Sequence, residues 1–349
     1  ARDEENVVER LVERLASIKY PKEKIAFWMI DDGSLDKTAH LFQVAIKNHS
    51  NFSLLSRPRE AGGGKSGALN HALRQVKGDW IFILDADAQL QEDVLLKLVT
   101  FASKGDWSAV QLRKAVINPK QNLLTCLQAM EMAMDAFIQE GRLLGSGVAE
   151  LRGNGQLIDR KTLERCGGFN EETVTDDLDL SFRLLLSGSS VGILWDPPVE
   201  EEAVESLSAL FRQRQRWAEG GLQRFFDYWP FLTSWKLNFV IRRDLASFFL
   251  LQYAIPVISF VDILTALITQ TFPVYWPLSF VALSVSGLAY WRGCRRYSEG
   301  PELPEPKPFR LIFSILYLVH WFIVIPLVTI RMALLPKKLV WIKTIHQGN

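Results

Sequence analysis

Residues 80–87, which read WIFILDAD, decide the fold of this chain. The first five are continuously apolar, which is typical of a parallel strand buried on both faces. Asp85 and Asp87 follow, and side chains two apart on an extended chain point to the same side, so both carboxylates can reach one ligand. Mg²⁺ and Mn²⁺ prefer carboxylate and phosphate oxygens. The stretch therefore predicts a strand that ends at a metal-bound phosphate, although an isolated Asp-x-Asp is more often a solvated turn.

The sequence before this stretch shows the same alternation of strand, acidic residues and helix. Asp31 and Asp32 follow another continuous apolar run. We predict helices over residues 6–17, 36–48 and 67–76, and strands over residues 25–30, 52–56 and 80–84. Such alternation indicates an α/β fold with a doubly wound sheet, in which ligands bind at the carboxyl ends of strands. There Asp31 and Asp32 would accept hydrogen bonds from a base or a ribose, or would cap the next helix.

Two further segments supply charge. Lys65 lies in the run GGGKSG of residues 62–67, where it could neutralise a diphosphate. The run lacks the glycine spacing of a P-loop and can also be an ordinary surface loop. Asp176 and Asp177 lie just before a predicted helix at residues 180–186. Acidic residues are common at helix starts, but a carboxylate here could also take a proton from an acceptor hydroxyl as a general base.

The segment QRQRW at residues 213–217 lies within a predicted amphipathic helix, residues 206–229. Apolar side chains recur there at helical spacing and arginines add positive charge, as in helices that lie in a membrane interface. Arg216 could stabilise a leaving diphosphate, and Trp217 could stack on a sugar. The alternative is a basic interfacial helix without chemistry.

Three apolar stretches follow, at residues 245–271, 273–291 and 311–335. Each approaches or exceeds the length of about 20 residues that spans a bilayer as a helix. The positive-inside rule places Arg242, Arg243 and the basic loop 292–310 in the cytosol. The third stretch is predicted to break near residues 320–326, which returns the chain end to the cytosol. We therefore expect an integral membrane protein with a cytosolic catalytic domain.

The predicted regions are a catalytic α/β domain (1–205), interfacial helices (206–244), transmembrane helices (245–335) and a cytosolic segment (336–349). The first strand of the catalytic domain is expected to be absent, because residue 1 opens directly into a helical pattern. Forty basic and 39 acidic residues nearly cancel, which gives no case for a nucleic-acid partner. Three widely spaced cysteines argue against a disulfide framework and favour a reducing compartment.

In the order in which they occur, these motifs resemble those of the membrane-bound family 2 glycosyltransferases, which include the cellulose, hyaluronan and poly-N-acetylglucosamine synthases. The likeness covers about residues 1–230, and Gln-x-x-Arg-Trp at residues 213–217 is its most specific element. The resemblance implies a GT-A fold, a UDP-sugar donor, a divalent metal ion (Mg²⁺ or Mn²⁺) and inversion to a β-linkage.

The resemblance also implies a role for each matching residue. Glu4 and Asp32 would hold the uridine with Asp31 beside them, Lys65 and Asp85 would contact the diphosphate, Asp85 and Asp87 would bind the metal, and Gln213, Arg216 and Trp217 would line the sugar and acceptor site. Asp177 would be the base, with Asp176 next to it. Asp176 stands where the family usually has Glu, which leaves the base assignment intact. Arg2 stands where the family often has Tyr, so base stacking is not carried over to it.

The membrane content and the sequence after Trp217 favour a lipid acceptor. A synthase that extrudes polymer needs a channel built from many spans, whereas two or three are counted here, in addition to any in an absent N-terminal segment. Residues 217–221 (WAEGG) and the aromatic residues after them resemble the cyanobacterial-type β-monoglucosyldiacylglycerol synthases. Residues 341–348 would form a lid apposed to the membrane. We predict transfer of a sugar, glucose by preference, from a UDP-sugar to diacylglycerol. The alternatives are a processive β-polysaccharide synthase and an inactive glycosyltransferase fold that serves as a membrane scaffold.

Overall fold

The computed structural model describes residues 1–235, 237–296 and 303–335, which divide into two units. The first unit comprises Ala1–Ala115 and Glu150–Glu202, and the second comprises Val116–Ala149 and the described residues from Ala203 onward. The predicted cytosolic segment 336–349, with the lid at 341–348, lies outside the described residues. The predicted domain limits at residues 205, 244 and 335 stay predictions.

The elements in chain order are α1 (Val8–Ala16), β1 (Phe27–Asp32), α2 (Thr38–Ile46), β2 (Phe52–Arg57), α3 (Gly64–Leu73), β3 (Trp80–Ile83), α4 (Val94–Lys104), β4 (Ala109–Val116), α5 (Leu123–Leu144), β5 (Gln156–Asp159), α6 (Arg160–Arg165), α7 (Asp176–Leu186), β6 (Val191–Glu201), α8 (Leu207–Leu232), α9 (Phe239–Phe249), α10 (Ile255–Thr269), α11 (Trp276–Cys294), α12 (Pro308–Leu318) and α13 (Trp321–Leu334). The alternation predicted for the first 84 residues is confirmed, with bounds that differ by a few residues. Asp31 and Asp32 lie inside the end of β1 rather than after it. Asp176 and Asp177 lie in the first turn of α7 rather than before a helix.

The strands of the first unit form a parallel pair and a four-stranded sheet. β1 and β2 are parallel, with Phe27 opposite Phe52. The other sheet has the order β3-β5-β4-β6, and β5 is antiparallel to both of its neighbours. The doubly wound arrangement that we predicted therefore describes β1 and β2 but not β3, which pairs with an antiparallel strand. β5 follows β3 only after α4, β4 and α5, so the local pattern of residues 80–84 could not show which strand pairs with β3.

Two apolar clusters hold the segment that carries Asp85 and Asp87. α1 buries one helical face against β1 and α2. α4 packs against β4 and β5 in a second cluster. Ala86 packs against the first cluster and Ala88 belongs to the second. The segment that carries the two carboxylates is therefore held in place by the packing of its alanines in these clusters.

In the second unit, the predicted amphipathic helix is α8, and the structure corrects our view of its charged face. Arg214 is 1% exposed and Arg224 is 2% exposed, so two of its arginines are internal. Exposed aromatic side chains are found at its C-terminal end, at Phe226, Trp229 and Phe231. The N-terminal and middle turns of α8 thus pack within the second unit, while its last turns present aromatic rings of the kind found at membrane interfaces.

Two helical segments among the described residues are long and apolar enough to cross a membrane. They are Phe239–Thr269, which is continuous through a π-helical turn between α9 and α10, and Pro308–Leu334. At a rise of about 1.5 Å per residue, both exceed the hydrocarbon thickness of about 30 Å. α12 ends at Leu318 and α13 begins at Trp321, so the helix is interrupted at Val319 and His320, whose dihedral angles remain helical. The predicted return of the chain end to the cytosol stays a prediction. The side of the membrane on which the catalytic unit lies stays a prediction.

Candidate active site

Asp32, at the end of β1, faces two guanidinium groups. Its Oδ2 accepts a hydrogen bond from Arg2 at 2.6 Å, and its Oδ1 lies 3.0 Å from Nη1 of Arg57. Arg57 also donates to the carbonyl oxygen of Gly62 at 2.8 Å. Asp32 is therefore linked through Arg57 to the glycine-rich loop that precedes Lys65.

Asp31 and Glu4 lie near the same strand end, in turns defined by main-chain contacts. Oδ1 of Asp31 accepts the N–H of Ser34 at 3.2 Å. The N–H of Glu4 donates to Oγ1 of Thr38 at 2.8 Å, which places Glu4 at the start of α2. The structure thus brings together three of the residues predicted to hold the uridine.

Lys65 is the central cation of the first unit's site. It lies in the first turn of α3, which follows Gly63 in the left-handed conformation. Its Nζ donates to Oδ1 of Asp85 at 2.5 Å and to the carbonyl oxygen of Gly153 at 3.0 Å. The N–H of Asp85 donates to Oδ1 of Asn154 at 3.1 Å. Residues 153 and 154 therefore tie the start of α3 to the end of β3.

Gly153 also lies against the carboxylate of Asp177. A methyl group at position 153 would be 3.3 Å from Oδ2 of Asp177, and the φ of +82° is one that side chains rarely adopt. Asp176 and Asp177 begin α7, where the free N–H groups of a helix start favour negative charge. Asp179 of the same turn is instead paired with Arg183 at 2.7 Å. Asp176 and Asp177 are therefore the two acids of this motif that could take part in the reaction.

The charges of this cluster shift the pKa values of its members. Burial raises the pKa of Asp176 to about 6, against the attraction of Lys65 and together with the repulsion of Asp177 and Asp85. Burial also raises the pKa of Asp177, opposed by the N–H of Leu178 and by Lys65. Burial would lower the pKa of Lys65, but the three carboxylates outweigh it and raise that pKa, so Lys65 stays charged. A carboxylate with a raised pKa is a better proton acceptor, as a general base requires.

We expect Asp176→Asn to raise the thermal stability of the metal-free protein at pH 7.5. A carboxyl whose pKa is raised on folding holds its proton more tightly in the folded state, so stability falls as pH rises from 3.8 through about 6. The amide removes this loss. Melting temperatures measured with a chelator should therefore increase at pH 7.5 and change little at pH 3.5. An equal increase at both pH values would contradict the pKa shift.

Asp85 and Asp87 offer carboxylates for a metal ion. The side chain of Asp85 is 40% exposed, and Asp87 lines a small open cleft beside Arg10 and Arg14. Within the described part of the chain, no group of three or more His, Cys, Asp or Glu side chains could hold a metal. Two carboxylates fit Mg²⁺ or Mn²⁺, because Mg²⁺ usually takes one or two carboxylates and completes its shell with substrate phosphates and water. They do not fit a closed structural zinc site.

Gln213, Arg216 and Trp217 lie on α8 in the second unit. Their spacings of three and four residues place them on one face of the helix, and all three are half-buried. The guanidinium of Arg214 lies 4.2 Å from the ring centre of Trp217. Their predicted roles towards donor and acceptor stay predictions.

The sequence interpretation missed residues that organise the candidate site of the first unit and, separately, the surroundings of Trp217 in the second unit. It treated residues 153–155 as a turn, although two glycines around an asparagine could have suggested a backbone that approaches a charged group closely. It did not consider Arg57 or Glu131 at all. Arg57 ends a predicted strand in the same way as Asp32, which was a usable signal. Glu131 lies on a Met-rich helix, α5, as one of three acids among mostly apolar residues, so nothing in the sequence singled it out.

Comparison with known proteins identifies the family. Residues 1–220 match the glycosyltransferase-like family 2. The chain is 42% identical to beta-monoglucosyldiacylglycerol synthase of Synechocystis sp., over 99% of this chain and 73% of that protein. It is 40% identical to the protein of the same name from Nostoc sp., over 100% and 75%. The solved structure of the mannosyltransferase PcManGT from Pyrobaculum calidifontis, in complex with GDP-Man and Mn²⁺, has a TM-score of 0.62 at 19% identity and covers 96% of this chain and 85% of that one. This likeness confirms the GT-A-like fold. The chain belongs to the family 2 glycosyltransferases, in the family of the beta-monoglucosyldiacylglycerol synthases.

Proposed function

We propose that the protein transfers one glucose residue from UDP-glucose to the free hydroxyl of diacylglycerol and inverts the anomeric carbon to give a β-linkage. The observation that carries the reaction type is the cluster of Lys65, Asp85 and Asp177 around Gly153, with hydrogen bonds of 2.5 and 3.0 Å from Lys65. The identity of sugar and acceptor is taken from the names of the relatives with about 40% identity over the whole chain.

The donor would be held by the strand ends of the first unit. Glu4, Asp31 and Asp32 supply acceptors for the uridine and its ribose. Lys65 and the metal ion at Asp85 and Asp87 offset the charge of the diphosphate. When bound, that ion supplies Lewis-acid stabilisation of the departing UDP. Lys65 now donates to Asp85, so donor binding exchanges part of an internal ion pair for contacts with phosphate.

Asp177 would act on the acceptor. Its carboxylate takes the proton of the diacylglycerol hydroxyl while the hydroxyl oxygen forms a bond to the anomeric carbon. The bond from that carbon to the diphosphate oxygen breaks, and its electron pair leaves with UDP. Lys65 stabilises the charge that develops on the departing oxygen. Asp176 remains beside Asp177 at the start of α7.

The second unit would supply contacts to sugar, leaving group and lipid. In this proposal Arg216 stabilises the departing diphosphate, while Gln213 and Trp217 contact the sugar and the acceptor. The exposed aromatic end of α8 and the two candidate membrane spans suit a lipid substrate. We place the catalytic unit on the cytosolic side, since UDP-sugars are made there and the loops next to the spans are basic.

The product distinguishes this proposal from its alternatives. Purified protein in detergent micelles with dioleoylglycerol, UDP-[¹⁴C]glucose and Mg²⁺ is expected to yield a glycolipid with a single β-linked glucose. A chelator should abolish its formation, and Mg²⁺ or Mn²⁺ should restore it, because without the ion the carboxylates of Asp85 and Asp87 would repel the diphosphate. Thin-layer chromatography shows whether the product carries a single sugar, and β-glucosidase digestion shows whether its linkage is β.

Each alternative predicts a different product. A ladder or a high polymer would identify a processive polysaccharide synthase and overturn the lipid acceptor. If the lipid fraction contained no sugar with any of the donors tested, the protein would be the inactive scaffold. The matched control replaces UDP-glucose by UDP-galactose, which differs at one hydroxyl, and faster transfer of galactose would overturn the choice of sugar.

A further inference from the structure

A buried ion pair of the second unit includes Arg214, which belongs to the Gln213–Trp217 segment. Nη2 of Arg214 donates to Oε2 of Glu131 at 2.5 Å, and the side chains are 1% and 9% exposed. Two charges removed from water stabilise a protein only when their remaining hydrogen-bonding groups are also satisfied. Glu131 meets this condition, because it also accepts from the hydroxyl of Tyr317 at 2.9 Å and from Nε1 of Trp321 at 3.2 Å.

The Arg214 guanidinium of this pair also lies close to two indole rings. The guanidinium of Arg214 lies 4.2 Å from the ring centre of Trp217 and 5.4 Å from that of Trp321. A planar cation over an indole is the most favourable cation–π pair, and it is strengthened when water is excluded. Arg214 therefore donates to Glu131 while its guanidinium lies over the ring of Trp217.

This arrangement joins the Gln-x-x-Arg-Trp segment to the break in the last candidate span. Tyr317 belongs to α12 and Trp321 to α13, on either side of the break. Both donate to Glu131, so the carboxylate holds the two helix ends together. The carboxylate of Glu131, on α5, thus connects this helix with α8, α12 and α13. Arg214 in turn lies against the indole of Trp217.

We propose that Arg214 and Glu131 are positioning residues that set the ring plane of Trp217, and thereby the affinity for the acceptor. The inference rests on the proposed function in one respect, namely that Trp217 contacts the acceptor. Arg214 supplies the flat cationic face and Glu131 fixes its orientation. Neither residue needs to touch the substrate.

The kinetic test uses Arg214→Lys, which keeps the charge beside Glu131 but removes the planar face. We expect the KM for diacylglycerol to rise by up to about tenfold, because the ammonium is attracted to the indole but lacks the planar contact that orients the ring. The KM for UDP-glucose should change by less than about twofold. In a Trp217→Ala background, Arg214→Lys should have little further effect, because contributions through one shared residue are not additive. A full tenfold effect in that background would overturn the proposal.

A spectroscopic test reports on the surroundings of the Trp217 ring and does not require enzymatic activity. The chain has 11 tryptophans, and biosynthetic labelling with 5-fluorotryptophan gives each a ¹⁹F resonance. The resonance that disappears in Trp217→Phe belongs to Trp217. We expect it to shift in Arg214→Lys and in Glu131→Gln. The matched control is Arg224→Lys, which changes another buried arginine of α8, stacked on Phe225 at 5.0 Å, and should leave the resonance in place.

These two tests separate the positioning proposal from the proposed function. If the wild-type protein makes no glycolipid, the proposed function fails, and the ¹⁹F spectra still decide whether Arg214 and Glu131 set the ring. If Glu131→Gln leaves the Trp217 resonance unchanged, the positioning proposal fails even when glycolipid is made. An apolar double variant, Glu131→Leu with Arg214→Met, should retain the fold, since buried ion pairs can be replaced in this way. Its acceptor KM should remain raised, and recovery of the wild-type KM would identify a purely structural pair.

Discussion

Asp177→Asn is expected to lower kcat for sugar transfer by about 10²–10⁴-fold, the usual contribution of a general base. The amide has the shape of the carboxylate, but it cannot take the proton of the acceptor hydroxyl. Its contact with Gly153 and its place at the start of α7 need not change. Binding of UDP, measured by calorimetry, should therefore stay within about threefold of the wild-type value, whereas initial rates with UDP-[¹⁴C]glucose should fall.

The matched control is Asp106→Asn, the same change at an exposed position of the first unit. Asp106 has φ of +51°, which asparagine also tolerates, so folding should not be affected. This variant should retain full activity. A normal rate for Asp177→Asn would overturn the base assignment, and a comparable loss in Asp176→Asn alone would transfer that role to Asp176.

Lys65→Met is expected to have the second largest effect, a loss of about 10²–10³-fold in kcat/KM for the donor. That range is typical for removing one preorganised group that stabilises developing negative charge. The change also leaves Asp85 without the hydrogen bond at 2.5 Å. Donor affinity should fall with the rate, because the ammonium would contact the diphosphate both before and during the reaction.

The pH dependence of the rate provides a second measurement on the Lys65→Met variant. Lys65 lowers the pKa values of Asp176 and Asp177, so its removal raises both further. A base must be ionised to act, and the acidic limb of the rate profile should therefore move to higher pH in the variant. Lys77→Met, at an exposed position, is the control and should leave the limb in place. A limb that does not move in Lys65→Met would contradict the electrostatic coupling within this cluster.

The sequence revealed those parts of the molecule whose cause is local. An apolar run such as residues 80–84 forms a strand because its side chains are apolar on both faces, and the acids after it then lie near a strand end. A few neighbouring residues thus determine the strand. The interruption beside His320 was instead predicted from distant charge, because a single span would place the basic chain end outside the cytosol.

Long-range pairings could not be predicted in this way. Arg57 and Asp32 are 25 positions apart, and Glu131 and Arg214 are 83 apart, so no periodicity relates them. The burial of Arg214 was the clearest surprise, because an arginine in a basic helix is ordinarily solvated. Its partner lies on α5, and only the folded chain brings the two together.

The position of Gly153 has a consequence for protein engineering. Its carbonyl oxygen holds Lys65, its α-carbon lies against Asp177, and its backbone conformation excludes most other residues. Any side chain there would disturb the donor cation and the base at once. Attempts to change the sugar or the lipid should therefore leave this residue untouched and direct diversity to surfaces whose side chains can vary separately.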